Sequence, residues 1–123
     1  MVKNAPTEAI AKSVALSVIN SSLLKAAIFA ADANWGRILC AIGYAEGDFD
    51  ISKVEVLLSS DKGVVKVCEN GAGVDFSEDK AFAILSEDEI VIIVDLHDGE
   101  GKSVAWGCDL TYEYVKINAE YRS

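Results

Sequence analysis

The run Ile90-Val91-Ile92-Ile93-Val94 constrains this chain more than any other feature, because it is five β-branched residues with no polar break. Such side chains are stiff at χ1 and suit a pleated, packed surface. The run predicts a strand over Glu89 to Leu96. It is far shorter than the roughly 20 apolar residues of a membrane-spanning helix, as is the other long apolar stretch, Ala26 to Ala31. A strand needs partners, and the flanking sequence offers them. Asp98-Gly99-Glu100-Gly101 reads as a turn, and Ser103 to Cys108 as a strand returning beside the first in a hairpin. Val54, Val56 and Leu58 alternate as a strand should; Val64, Val65 and Val67 form another, with Asp61-Lys62-Gly63 as the turn between them. Glu69 to Gly73 reads as a loop.

Helical periodicity appears elsewhere. Pro6-Thr7-Glu8 opens a first helix, with Thr7 as cap and Glu8 at its positive end. Ile10, Val14 and Val18 carry its apolar stripe to about Ser22. Leu23 to Phe29 shows no polar alternation and reads as a short buried strand. Asp32 or Asn34 can cap a helix from Trp35 to about Tyr44, followed by a loop over residues 45–52. Ser77-Glu78-Asp79 leads into a short helix, Lys80 to Leu85, and Asp109 or Thr111 caps a last helix through about Ala119. Hairpin-rich strands among helices predict an α+β fold, with a mixed or antiparallel sheet and packed helices, in a single domain over residues 1–123.

Charge narrows the partners. Twenty Asp and Glu face eleven Lys and Arg, for a net charge of −9, which repels phosphate backbones and argues against nucleic acid. The apolar share of 51% excludes a disordered chain. It fits either an alanine-heavy core or an apolar face turned to a partner. Cys40, Cys68 and Cys108 are three widely spaced thiols in apolar or small surroundings, neither a disulfide framework nor a metal pair. Reduced thiols, no signal-peptide pattern and no membrane span lead to a cytoplasmic expectation.

Several motifs could carry chemistry. Gly71-Ala72-Gly73 is an isolated fragment of a dinucleotide fingerprint without the helix that should follow. Asp98 to Gly101 lacks the ligand series of a calcium loop. No cofactor or metal is expected. His97, the one histidine, has no nucleophile identified beside it and reads as a strand-end residue. In Asn34-Trp35-Gly36-Arg37, Trp35 offers a large face and Arg37 a fork able to grip a carboxylate; the plainer alternative is a locked helix start with Arg37 paired to an acid. On the expected last helix, Asn118 shares a face with Thr111 and Val115, while Tyr114 and Ile117 turn to the apolar side. An amide donates to a carboxylate and accepts from an amine, the two groups of an amino acid. It can equally satisfy helix-end carbonyls.

Asp32-Ala33-Asn34-Trp35-Gly36-Arg37-Ile38, together with the terminal run Ala105 to Ser123, resembles the end of the β chain of bifunctional ornithine acetyltransferases, also called glutamate N-acetyltransferases. The similarity extends from about Thr7 to Ser123. It implies an α/β enzyme of arginine biosynthesis, a precursor that cuts itself before a threonine into α and β chains, and an assembly of two of each. The new N-terminal threonine takes acetyl from N-acetylornithine, releases ornithine and passes the acetyl group to glutamate. By the resemblance, Asn118 and Ser123 contact the amino-acid substrate. The nucleophilic threonine does not appear in these residues, and the family's Gly-Glu-Gly-Ala-Thr-Lys segment would lie just before Met1. The oxyanion residues belong to the α chain. Ala26, Ala30 and Ala33 stand where the family usually has Thr, Gly and Pro. If that glycine needs positive φ, Ala30 would be strained.

Two functional expectations follow. The chain is the substrate-side segment of the acetyltransferase, partnered by the α chain and the N-terminal part of the β chain and inactive alone. Alternatively, it is a stand-alone, non-catalytic module of the same fold that binds an amino acid or a protein.

Overall fold

The computed structural model describes residues 1–107. A strand β1 (Val2–Ala5) is followed by three helices, α1 (Glu8–Ile19), α2 (Ser22–Phe29) and α3 (Trp35–Gly43). After a 3₁₀ turn (Ile51–Lys53) come β2 (Glu55–Ser60), β3 (Gly63–Glu69), the two-residue β4 (Ala72–Gly73), α4 (Glu78–Leu85), β5 (Val91–Asp95) and β6 (Gly101–Ser103). The strands form one sheet in the order β4-β3-β2-β5-β1-β6. Among the described residues only β1 and β5 run parallel, so the sheet is mixed and the α+β expectation holds.

Register decides which side of the sheet becomes core. Val56 lies opposite Val94, Leu58 opposite Val65, and Val2 opposite Val94. Residues directly opposite share a face. All five are buried, and α1 and α4 pack on that side. The alternate positions Lys3, Glu55, Leu57, Lys66, Ile93 and Asp95 point to the opposite face.

Helix starts follow the caps. Thr7 accepts from the Ile10 amide at 3.1 Å, Asn34 from Arg37 at 3.1 Å, and Ser77 from Lys80 at 3.2 Å. Each replaces a backbone partner that a helix start lacks. With Ser77 as cap, α4 starts two residues before the expected Lys80.

Four expectations need correction. Leu23 to Phe29 is not a strand but most of α2. The Ser21 hydroxyl caps it at Leu24, and Leu24 and Ala27, three apart, turn inward. A short apolar run suits either state, and two alanines plus a cap favour helix. Val2–Ala5 is a strand that local pattern did not reveal. It enters between β5 and β6, so those two do not form a hairpin with each other. The last strand among the described residues ends at Ser103, well before Cys108, which lies outside them together with the expected helix after Asp109. The expected loop over residues 69–73 is a tight hairpin instead: Asn70 and Gly71 both take positive φ (53° and 71°), and β4 pairs back on β3.

Ala30 sits at an ordinary φ of −82°. The left-handed position is Ala31, at φ 53°, where the chain leaves α2. Among the described residues, no single helix is long and apolar enough to cross a membrane.

Candidate functional site

Three strand ends converge on one polar cluster. Asp95 closes β5, Asn4 lies in β1 beside it, Glu55 opens β2, and His97 follows two residues after Asp95. Asp95 is the one buried charged side chain among the described residues, 7% exposed. A buried carboxylate must be compensated. The Asn4 amide nitrogen donates to both of its oxygens at 3.1 Å, and the His97 backbone N–H donates to Oδ1 at 2.9 Å. Lys3 adds a more distant charge at 4.0 Å.

Both donors reach Asp95 from left-handed backbone, Asn4 at φ 55° and His97 at φ 50°. Asparagine visits that region readily, and histidine does so more than most residues. The turn aims the His97 ring across to β2, where Nε2 lies 2.9 Å from Glu55 Oε2. Lys66 Nζ reaches the other Glu55 oxygen at 3.3 Å. The His97 hydrogen bond holds the Glu55 carboxyl below its ordinary range; Lys66 adds to this, against the cost of partial burial. Glu55 in turn raises the Lys66 ammonium.

Ligand atoms of Glu55, Asp95 and His97 fall within 4.8 Å of one another, a spacing open to a divalent cation. In this structure those atoms have other partners: Asp95 accepts from Asn4 and the His97 backbone, Glu55 Oε1 pairs with Lys66, and His97 Nε2 faces Glu55 Oε2. The arrangement pins β1, β2 and β5 together through hydrogen bonds to two carboxylates. His97, read from sequence as a strand-end residue, is that and also the bridge between two carboxylates. The signal that could have exposed the cluster is Asp95 itself, an acid that ends the most apolar run in the chain.

The Asn34–Arg37 motif is a helix start. Arg37 Nη1 donates to the Leu23 carbonyl at 3.0 Å, tying α3 to the start of α2 rather than gripping a carboxylate. Trp35 is 41% exposed, and its ring covers Gly73 so closely that a Cβ there would lie 2.4 Å from Cε2. Gly71-Ala72-Gly73 is thus a hairpin beneath an indole, not a phosphate cradle. Gly99 (φ 150°) leaves no room for a side chain, since a Cβ would meet the Ala5 carbonyl oxygen at 2.4 Å.

Away from the cluster, an apolar groove of about 370 Å³ runs between α1, α2 and the Met1 end of the sheet. Val18, Leu24, Ile28, Ile90, Ile92 and Trp106 line it. Asn118 and Ser123, the substrate contacts implied by the resemblance, lie outside the described residues.

Comparison with known proteins covers the whole chain. The sequence model of the ArgJ family matches residues 1–123. The arginine biosynthesis bifunctional protein ArgJ of Caldanaerobacter subterraneus subsp. tengcongensis is 55% identical over 122 residues, which are 99% of this chain and 30% of that protein. Its counterpart in Thermotoga neapolitana is 47% identical over 99% of this chain and 31% of its own length. The crystal structure of the arginine biosynthesis bifunctional protein from Bacillus halodurans superposes with a TM-score of 0.85 at 42% identity, covering 98% of this chain and 55% of that one. The chain thus spans about 30% of the length of the curated relatives it matches.

Proposed function

The chain belongs to the ArgJ family, and from that premise we propose that it is the C-terminal, substrate-side segment of an ornithine acetyltransferase. The whole enzyme moves acetyl from N-acetylornithine to glutamate and acts in arginine biosynthesis in the cytoplasm. The observation that carries this reading is the match of nearly the entire chain, 55% identical in one relative, to under a third of a bifunctional arginine-biosynthesis protein.

In this reading the chemistry is divided among segments. A threonine at the start of the β chain, freed by self-cleavage, attacks the acetyl carbonyl. Its hydroxyl oxygen forms the new ester bond as the carbon–nitrogen bond to ornithine breaks, and the departing amine takes a proton. Glutamate's amine then attacks that ester, forming the new amide and returning the threonine hydroxyl. Splitting the transfer this way replaces one difficult step with two easier ones. Donors on the α chain stabilise each oxyanion. Asn118 and Ser123 hold the amino-acid part of the substrate: the Asn118 amide can donate to the α-carboxylate, and its oxygen can accept from an ammonium. The Asp95 cluster takes no part in these steps; it holds together the strand ends of the sheet.

The partners are then the α chain and the N-terminal part of the β chain, two of each in the assembly. The test is complementation. This chain alone should not transfer acetyl from N-acetylornithine to glutamate. Co-expression with the remaining segments of a family member should restore transfer. No gain over the other segments alone would defeat the proposal, and tight binding of ornithine or glutamate by the isolated chain would favour a stand-alone binding module.

A further inference from the structure

The β3–β4 hairpin holds the one Asn-Gly pair of the chain. Glu69 pairs with Ala72, so Asn70 and Gly71 are the two loop residues. Positive φ at both makes this a type I′ turn. Asn70 is exposed. An Asn-Gly pair has a second chemical property. With no Cβ on the glycine, its backbone nitrogen can close on the asparagine carboxamide with little steric hindrance. Two contacts oppose that closure here. The Gly71 N–H donates to the Val54 carbonyl at 2.9 Å, where the 3₁₀ turn ends. The Gly71 backbone is also wedged against Ile51, whose carbonyl oxygen leaves no room for a Cβ. Farther along, the Val74 N–H donates to the Val67 carbonyl at 3.1 Å, and the Trp35 ring covers Gly73.

We propose that Asn70 is a self-modification site, a deamidating asparagine that the folded hairpin holds shut and that opening of the hairpin releases. The Gly71 nitrogen gives up its proton and attacks Asn70 Cγ. A nitrogen–Cγ bond forms and closes a succinimide, the Cγ–Nδ2 bond breaks, and ammonia leaves with that proton. Water then opens the ring at either carbonyl, leaving aspartate or isoaspartate and one added negative charge. The native turn blocks the first step twice. The hydrogen bond to Val54 raises the cost of removing the Gly71 proton. A five-membered ring also needs rotation about the Asn70 Cα–C bond, which takes the Gly71 N–H off Val54 and out of the type I′ turn. The product is one-way. Isoaspartate carries the backbone through its side-chain carbon, one methylene longer, so the two-residue loop and the Gly71–Val54 bond cannot both re-form. Chains that have stood open are thereby marked and lose the clamp between the hairpin and the 3₁₀ turn.

The test incubates the full chain at about pH 8, in buffer and in guanidinium chloride, and follows tryptic peptides by chromatography and mass spectrometry. The peptide Val67 to Lys80 contains no other asparagine, so its aspartyl and isoaspartyl forms report Asn70 alone. Conversion should be at least tenfold slower in the native chain, the protection of a closed local unit. Equal rates in buffer and denaturant would overturn the gate, and no conversion in the unfolded chain would overturn the site. A second measurement reads the consequence. The isoaspartyl chain, purified and returned to buffer, should exchange its Gly71 amide hydrogen at least tenfold faster than the unmodified chain does. A Gly71 amide equally protected in both would overturn the loss of the clamp. Neither readout involves acetyl transfer, so the inference stands or falls apart from the acetyltransferase reading.

Discussion

Replacing Asp95 by alanine should destabilise the fold by about 2–3 kcal/mol. Asp95 accepts from two donor groups, the Asn4 amide and the His97 backbone N–H. Hydrogen bonds to a charged acceptor contribute roughly 1.5–3 kcal/mol each. Asn4 is half-buried and His97 exposed, so water can reach both donors once the carboxylate is gone, which brings each loss to about 1 kcal/mol. The carboxylate's own desolvation cost is also relieved. Against that, Asn4 and His97 keep left-handed backbone with less to hold it, a strain of order 1 kcal/mol or more per residue. Lys3, 4.0 Å away and largely solvated, adds little. Urea unfolding followed by far-ultraviolet circular dichroism reads the result. With a denaturant slope of roughly 1–3 kcal/mol per molar for small proteins, the midpoint should fall by about 1 M. Asp95→Asn, which keeps one acceptor oxygen, should lose about half as much. Asp98→Ala removes only an exposed pair with Lys53 at 3.8 Å and should shift the midpoint little. If Asp95→Ala unfolds at the same urea concentration as Asp98→Ala, the cluster does not pin the strands.

Glu55 has a carboxyl held below its ordinary range in the folded state, so its contribution is fully present above the unfolded value near 4.5 and is lost as pH falls through the lower folded value. Glu55→Gln should therefore flatten the decline in stability below about pH 4.5, measured by urea midpoints across an acid series; an unchanged slope would contradict the His97 and Lys66 pairing. Burial pushes the Cys68 thiol up to about 11, whereas Cys40 is exposed. In a Cys108→Ser background, Ellman's reagent at pH 8 should titrate one thiol in the native protein and two after unfolding; two fast native thiols would place Cys68 outside the core. In the reassembled enzyme, Asn118→Ala should lower acetyl transfer at least tenfold without moving the unfolding midpoint, and equal rates with both acetylornithine and glutamate would remove its assigned role.

Local patterns were strongest where geometry is local. Thr7 and the Asp61-Lys62-Gly63 turn could be read directly, and Asn34 as one of two candidate caps beside Asp32, because a cap or a turn involves residues within a few positions of each other. Leu23 to Phe29 misled, because seven residues with little polar alternation satisfy strand and helix alike. The Asp95 cluster was illegible: Asn4 and Asp95 are 91 positions apart, and Glu55 and His97 are 42 apart. No short window contains such a pair.

Residue identity and short-range spacing were enough for the family, the α+β class, two of the four described helix starts and the central β-branched strand, since each depends on residue type or on spacing within one turn or strand. Long-range packing alone sets the insertion of Val2–Ala5 between β5 and β6, and with it which residues meet Asp95. A four-residue strand carries too few side chains to announce itself. Its stability comes from backbone partners on both edges and from Val2 and Ala5 entering a core built by distant segments. Strand order is a property of those long-range pairings, and no local preference encodes it.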